Sequence, residues 1–264
     1  MTSPSEIRIS IAGAGNVGNF LALEFFKAGC SIVQILNRTL PKAVELAQKV
    51  NAQAIDNLEL IDPDVDLIIM SLPDKEIVGF CEKASIFFPE VVLASTAGSI
   101  ELKDLNEANK LCGVFYPLQS FTLKTHPRSN NIPVCIEGPS DDITGKLKVI
   151  ASIISNDVRE VSSQQRLFLH LAAVFACNFS NHMFTIAHQI IDRSGIDFDI
   201  LWPLVNETVS RLKQNYPEEM QTGPAIRNDQ VTINKHLEML KSYEDEYISK
   251  LYSLISESIT RTKS

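Results

Sequence analysis

Three glycines open the chemistry of this chain. Gly13, Gly15 and Gly18 in "GAGNVG" keep the spacing G-x-G-x-x-G, directly after the apolar run "IRISIA" and at the head of an amphipathic helical pattern. Each glycine has a physical task. Gly13 permits a tight turn, Gly15 removes a side chain where a diphosphate must approach the backbone, and Gly18 lets helix and strand pack closely. The backbone of Ala14, Asn16 and Val17 then offers N–H groups to phosphate at the helix start. The expectation is a bound dinucleotide; the alternative is a glycine-rich turn without a ligand.

The second strand-like run ends in Asn37, Arg38 and Thr39. An acid at this point would accept hydrogen bonds from the adenosine ribose and repel a 2′-phosphate. Asn37 stands about where that acid belongs and carries no charge. Arg38 can form a forked, charge-assisted contact with phosphate and stack on adenine. Thr39 adds a hydroxyl, and Lys42 follows shortly after. The pattern implies NADP(H) in preference to NAD(H), against a reading of Arg38 as a surface arginine beside a helix start. Two further strand ends, "MSLPD" with Ser71, Leu72 and Pro73, and "ASTAGS" with Ser95, Thr96 and Gly98, offer small residues where the nicotinamide half would lie against backbone.

Other candidates come from later in the chain. On the long helical pattern of residues 163–192, His170, Asn178, Asn181 and Thr185 fall on one side at about 100° per residue. His170 and Asn178 could orient a carbonyl or imine and give it a proton, or all these groups could bond to neighbouring helices. His188 reads as structural. Gln119 and Ser120, just past the sixth strand, and Asn181 could line the substrate cleft. Arg227 could bind a substrate carboxylate or be a solvated helix residue. Thr222 is a capping candidate and Pro224 a helix-start candidate. The 5 histidines show no metal-ligand spacing, so no metal is expected.

The elements that must position these residues alternate. Strand-like runs at 7–12, 31–36, 66–72, 91–95, 113–118, 133–138 and 157–162, with a weaker one near Ala54, are separated by helical candidates at 16–28, 41–50, 75–87, 102–109 and 141–155. Nearly continuous apolar strands predict an α/β, Rossmann-type, mostly parallel sheet with helices on both faces. From residue 163 only helices are expected, at 163–192, 197–213, 225–242 and 243–261. The economical division is a nucleotide domain at 1–162 and an all-α domain at 163–264. The helix 163–192 is apolar almost all round and is expected to be a buried central element, with Gly195 as a stop signal. The segment 122–132 reads as a mobile loop and "SYEDEY" (242–247) as a solvated helix face.

Composition excludes several classes. The 264 residues are 45% hydrophobic and suffice for a substantial core. A net charge of -8 argues against non-specific nucleic-acid binding. No signal-peptide pattern opens the chain, and no uninterrupted apolar run has the length of a membrane span, so no membrane is expected. The 5 scattered cysteines, odd in number and without a CxxC pair, read as reduced thiols of a cytoplasmic protein.

"GAGNVG", "NRT", "SLPD" and "STAGS" resemble the nucleotide domain of pyrroline-5-carboxylate reductases and the wider β-hydroxyacid dehydrogenases. "GVFYPLQSFT" (113–122), "HLAAVFACNFSNHMF" (170–184) and "QTGPAIRND" followed by "HL" (221–237) resemble a bacterial Rossmann-like oxidoreductase family whose helical C-terminal half is a domain of unknown function. The resemblance implies a C-terminal domain like that of 6-phosphogluconate dehydrogenase and a homodimer formed through it. Related chains often carry Gly where Asn228 stands. The β-hydroxyacid dehydrogenases place a lysine four positions before an asparagine on the long helix; with Asn178 as that asparagine, the position holds Val174. Oxidation of a hydroxyacid by that route is therefore not expected, whereas imine reduction does not require the lysine. The reading is an NADP(H)-dependent oxidoreductase acting on a small carbonyl or imine. The alternatives are a catalytically silent NADP(H)-binding sensor or regulatory protein and, thirdly, hydride exchange between NADP and a deazaflavin.

Overall fold

β-Branched runs pair side by side in the computed structural model, which describes residues 3–122, 132–242 and 246–262. Among these residues, strands β1 (Arg8–Ala12), β2 (Ser31–Leu36), β3 (Gln53–Ile55), β4 (Leu67–Met70), β5 (Val92–Ser95), β6 (Cys112–Pro117), β7 (Val134–Glu137) and β8 (Val158–Glu160) form one sheet, in the order β3-β2-β1-β4-β5-β6-β7-β8. The pairs are parallel except β6 with β7, which is antiparallel. The chain reverses its direction of winding between β1 and β4, and the crevice beyond the carboxyl ends of these strands is where such sheets bind ligands.

Helices α1 (Asn16–Lys27), α2 (Leu40–Lys49), α3 (Asp74–Phe87), α4 (Leu102–Ala108) and α5 (Asp141–Ile154) follow the strands. They cover both faces, which is why β4 is apolar at every position. Leu67 and Ile69 join the core with Phe20, Phe25, Leu46 and Leu147, while Ile68 and Met70 join the core with Ile77, Cys81 and Leu105. Truncating any of these four to alanine would cost about 2–5 kcal/mol.

The chain divides into two compact units, Met1–Asn178 and Phe179–Ser264. Strands give way to helices at Ser163, where α6 (Ser163–Ala173) begins, followed without interruption by a π-helical turn (Val174–Phe179) and α7 (Ser180–Asp192). Ser162 starts α6 with a capping box, its hydroxyl accepting from the Gln165 N–H at 3.3 Å while its own N–H donates to Gln165 Oε1 at 3.0 Å. Gly195, at φ +72°, lies just past α7 as expected of a stop. A 3₁₀ turn (Phe198–Leu201), α8 (Trp202–Arg211), α9 (Gln230–Lys241) and α10 (Glu246–Arg261) complete the second unit. There α7, α9, α10 and residues Thr222–Ala225 enclose an apolar cavity of about 240 Å³.

Several expectations need correction or restriction. The stretch 163–192 is not a buried element of the chain: Arg166 is its buried residue, while Phe168 and Phe175 are 67% and 63% exposed. An all-round apolar pattern marks a helix that needs covering, and among the described residues Phe168, Leu171 and Phe175 of this one stay largely exposed. By length and composition alone it just reaches what a membrane span needs, with a mean hydropathy of 1.2. The π-helical turn adds a residue to the helical phase, so the polar stripe drawn at a uniform 100° does not extend past Val174. The helix expected from 225 starts instead at Gln230, because Asn228 adopts φ +54°; Asp229 caps it, accepting from the Thr232 N–H at 3.1 Å, and Thr222 and Pro224 lie in the preceding turns. Asparagine and glycine are the residues that tolerate such a backbone, which accounts for either one at 228. Most of the 122–132 loop and the middle of "SYEDEY" lie outside the described residues.

Candidate functional site

The glycine loop is built as its spacing requires. Gly13 sits at φ +108°, and a Cβ there would lie 2.1 Å from the Ser71 carbonyl oxygen. Its N–H donates to Leu36 O at 2.7 Å. A Cβ on Gly18 would lie 1.9 Å from Gly13 O, so the helix rests directly on the turn. Gly15 differs. Its backbone is extended, at φ -80° and ψ -167°, a conformation open to any residue, and a Cβ there would meet no atom within 4 Å. Neither packing nor backbone geometry among the described residues calls for glycine at this position. No side chain caps α1, which leaves the first-turn N–H groups at Asn16, Val17 and Gly18 facing the loop's open side.

Asn37 takes a structural post beside this loop. Its Oδ1 accepts from the Ala14 N–H at 3.1 Å and its Nδ2 donates to Thr39 O at 3.0 Å, tying the glycine loop to the turn after β2. Arg38 reaches outward, its side chain 91% exposed, with Glu76 of α3 at 3.8 Å. Gly13, Gly15, Asn37, Arg38, Lys42 and Ser71 line a shallow cavity of about 230 Å³. Across Arg38 and Glu76 lies a second cavity of about 480 Å³, with Leu36, Leu58, Leu72 and Phe80 as an apolar bed and Lys75 and Lys83 at its margin. The loop, the apolar bed and the exposed guanidinium between them suit a diphosphate, an adenine and a phosphorylated ribose in that order. Another cavity, about 690 Å³, opens instead at the amino ends of β1, β4 and β5, among Asp66, Glu90, Asp141 and Asp142. Its acidic lining and its place on the opposite edge separate it from this site.

At the other end of the crevice the strand termini are cross-linked. Ser71 and Thr96 share a hydrogen bond at 3.3 Å, and Thr96 Oγ1 also donates to Met70 O at 3.2 Å. Ser95 Oγ accepts from the Ala97 N–H at 3.2 Å. Beyond them stands a pair that the sequence gives only in halves: Tyr116 of β6 and His170 of α6, with Oη and Nδ1 3.1 Å apart. A Cβ on Gly98 would lie 3.0 Å from both His170 Nδ1 and Tyr116 Cζ, so the bare backbone of "STAGS" is what permits the contact. Burial pushes the Tyr116 hydroxyl above its ordinary value, with a minor opposing pull from Arg166. Tyr116 was missed because nothing local marks it; its hydroxyl at the carboxyl end of an otherwise apolar strand is the available signal.

His170 is held there by a buried clamp one turn earlier. Arg166, 1% exposed, pairs with Glu137 at the end of β7 and donates to Ile100 O. Ser163 donates through its N–H and hydroxyl to the two Glu137 oxygens, each at 2.8 Å, while its hydroxyl accepts from the Leu102 N–H at 2.8 Å. The start of α6 is thereby fixed to β7 and to the turn after β5.

The other candidates are not drawn into this pair. Gln119 and Ser120 are exposed; the next residue, Phe121, packs on Phe20 at 4.6 Å, and its carbonyl accepts from Asn16 Nδ2 at 2.9 Å. Asn178 is exposed in the π-helical turn. Asn181 and Arg227 are exposed in the second unit, where His188 lies against Phe198 with ring centroids 5.2 Å apart. No cluster of three or more metal-ligating side chains occurs among the described residues.

Comparison with known proteins agrees with this architecture. Residues 132–259 match the family model of a domain of unknown function (DUF2520), and residues 2–86 match that of shikimate / quinate 5-dehydrogenase. A solved structure from Bacteroides fragilis, described as a "putative NADP oxidoreductase", is 38% identical and covers 98% of this chain and 100% of its own, with a TM-score of 0.92. An imine reductase from Myxococcus stipitatus in complex with NADP+ (16% identity, 96% and 94% coverage, TM-score 0.68) and a pyrroline carboxylate reductase from Plasmodium falciparum with NADP bound (10%, 98% and 99%, 0.60) share the fold. Among curated proteins, glutamyl-tRNA reductase of Sulfurisphaera tokodaii is 30% identical over 36% of this chain, a match spanning 24% of that protein's length. The chain belongs to one Rossmann-type family with the Bacteroides fragilis protein so described, and its own residues 132–259 carry the domain of unknown function.

Proposed function

We propose that the chain is an NADP(H)-dependent oxidoreductase that reduces a small carbonyl or imine. The observation that carries this reading is the convergence, at one edge of one sheet, of an anion-ready glycine loop, an exposed Arg38 and the Tyr116–His170 pair. The Bacteroides fragilis relative and the imine reductase neighbour, as they are described, support both coenzyme and reaction class. The glycine loop and α1 would hold the diphosphate, and Arg38, Thr39 and Lys42 the 2′-phosphate. Ser71, Leu72, Pro73, Ser95, Thr96 and Gly98 would flank the nicotinamide half. When bound, the coenzyme supplies the hydride.

The protein's part is then proton supply and positioning. Tyr116, protonated at neutral pH as any phenol is, donates its hydroxyl proton to the substrate oxygen or nitrogen as negative charge or basicity develops there. His170, half-buried and bonded to Tyr116, returns a proton from solvent. Gln119 and Ser120, just past the carboxyl end of β6, are assigned to the substrate. Residues 163–264 are assigned to dimerisation, supported by the exposed apolar side chains of Leu167, Phe168 and Leu171. A wild-type chain that sediments as a monomer would remove that assignment.

The test is coenzyme oxidation, followed spectrophotometrically, with NADPH and a panel of small imines and ketones. Turnover that falls by about 10²-fold or more in Tyr116→Phe, with NADPH affinity retained, is the expected result. Tight NADPH binding with no turnover across the panel would instead favour a silent sensor, the reading suggested by Val174 at the lysine position.

A further inference from the structure

On the coenzyme reading above, we infer that Glu76 sets how strongly the site discriminates between a 2′-phosphate and a free 2′-hydroxyl. The sequence places an uncharged Asn37 where a ribose-binding acid would stand. The fold brings a carboxylate to the same place from another strand end. Glu76, in the first turn of α3, approaches Arg38 Nη1 to 3.8 Å, and the two side chains line both the glycine-loop cavity and its larger neighbour. They stand on the divide between a diphosphate-sized and an adenine-sized space, where the adenosine ribose must cross.

The pair acts on the two coenzymes in opposite senses. A carboxylate accepts hydrogen bonds from ribose hydroxyls and repels a phosphate; a guanidinium binds the phosphate and gains little from a hydroxyl. Specificity is a difference between two affinities, and here each ligand meets one partner and one opponent. Glu76 also occupies Arg38 in the free chain and must give it up to a phosphate. Their pairing is loose and solvated, with the side chains 91% and 39% exposed, so the exchange is easy. The other charges around the divide are Lys42 on one side and Lys75, Lys83, Asp56 and Glu82 on the other. None of these lines both cavities.

The experiment is isothermal titration of the full chain with NADPH and NADH, and with adenosine 2′,5′-bisphosphate and adenosine 5′-monophosphate to isolate the adenosine half. In Glu76→Gln the preference for the phosphorylated member of each pair should rise roughly three- to ten-fold at low salt, the effect of one solvated charge on a ligand of about two. The gain should shrink as salt is raised, and Arg38→Ala should lower the same preference. If the unmodified chain prefers NADPH but the ratio does not move in a folded Glu76→Gln variant, the role of Glu76 is refuted and the coenzyme site stands. If the unmodified chain binds neither coenzyme, the coenzyme reading is refuted and this inference with it.

Discussion

Gly15 offers the sharpest separation of ligand binding from folding. In Gly15→Ala the new methyl meets no protein atom within 4 Å, and φ -80° needs no adjustment. Replacing glycine reduces unfolded-chain entropy by about 0.4–1 kcal/mol in favour of the fold. Losing glycine at an N-cap costs a similar amount, so the two nearly cancel and the free chain should melt within a degree or two of wild type. The same methyl stands where the diphosphate must approach the main chain. Losing one or two charge-assisted hydrogen bonds there is worth about 2–4 kcal/mol, or a 30- to 1,000-fold weaker Kd for NADPH. Gly13→Ala is the contrasting control. Its φ of +108° and the 2.1 Å approach to Ser71 O put strain into the fold itself, so its melting temperature should fall in the absence of any ligand. Calorimetric melting of the free variants, paired with NADPH titration, reads both effects. A Gly15→Ala chain that binds NADPH as tightly as wild type, or that unfolds like Gly13→Ala, would refute the assignment of this glycine to the coenzyme.

Two further outcomes follow from the clamp and from the tyrosine. Arg166→Ala leaves Glu137 and Ser163 without their buried partner and should destabilise the first unit by about 3–5 kcal/mol. Urea unfolding followed by circular dichroism would read this, since the single tryptophan, Trp202, reports the second unit; a loss below about 1 kcal/mol would show that the clamp does not hold α6. Because burial raises the Tyr116 value above the usual 10.0, its contribution to stability is complete below that pH and is lost as the pH climbs through the folded-state value. Difference absorbance against Tyr116→Phe should therefore show one phenol ionising above the ordinary tyrosine value.

What the sequence makes legible is whatever is local. The strands were readable because both faces of the sheet are covered, which makes Leu67–Met70 apolar at every position. The glycine loop and Arg38 were readable because turn, close approach and helix start occur within a few residues. Pairings across the fold were not. Tyr116 and His170 are 54 residues apart, and Glu76 reaches Arg38 from a different strand end. The start of α9 was misplaced because a left-handed Asn228 has no periodicity to give it away. The long helix was misjudged for another reason: an apolar surface has the same composition whether it is buried within the chain or left for a partner.

The position of Val174 bears on whether the protein is a catalyst. A lysine there would have been the expected proton carrier, and its loss was the main support for a silent coenzyme sensor. Val174 opens the π-helical turn, whereas the polar groups nearest the crevice lie one turn earlier on α6 and across from it on β6. On the proposed reading, a phenol backed by an imidazole would supply the proton without a permanent charge, which suits an imine or carbonyl better than a hydroxyacid anion that a lysine would also bind. On this account, restoring the lysine in Val174→Lys should leave the turnover of small imines unrescued in a Tyr116→Phe background. Recovery of wild-type rates in that double variant would show that the proton travels by the helix and not from the strand.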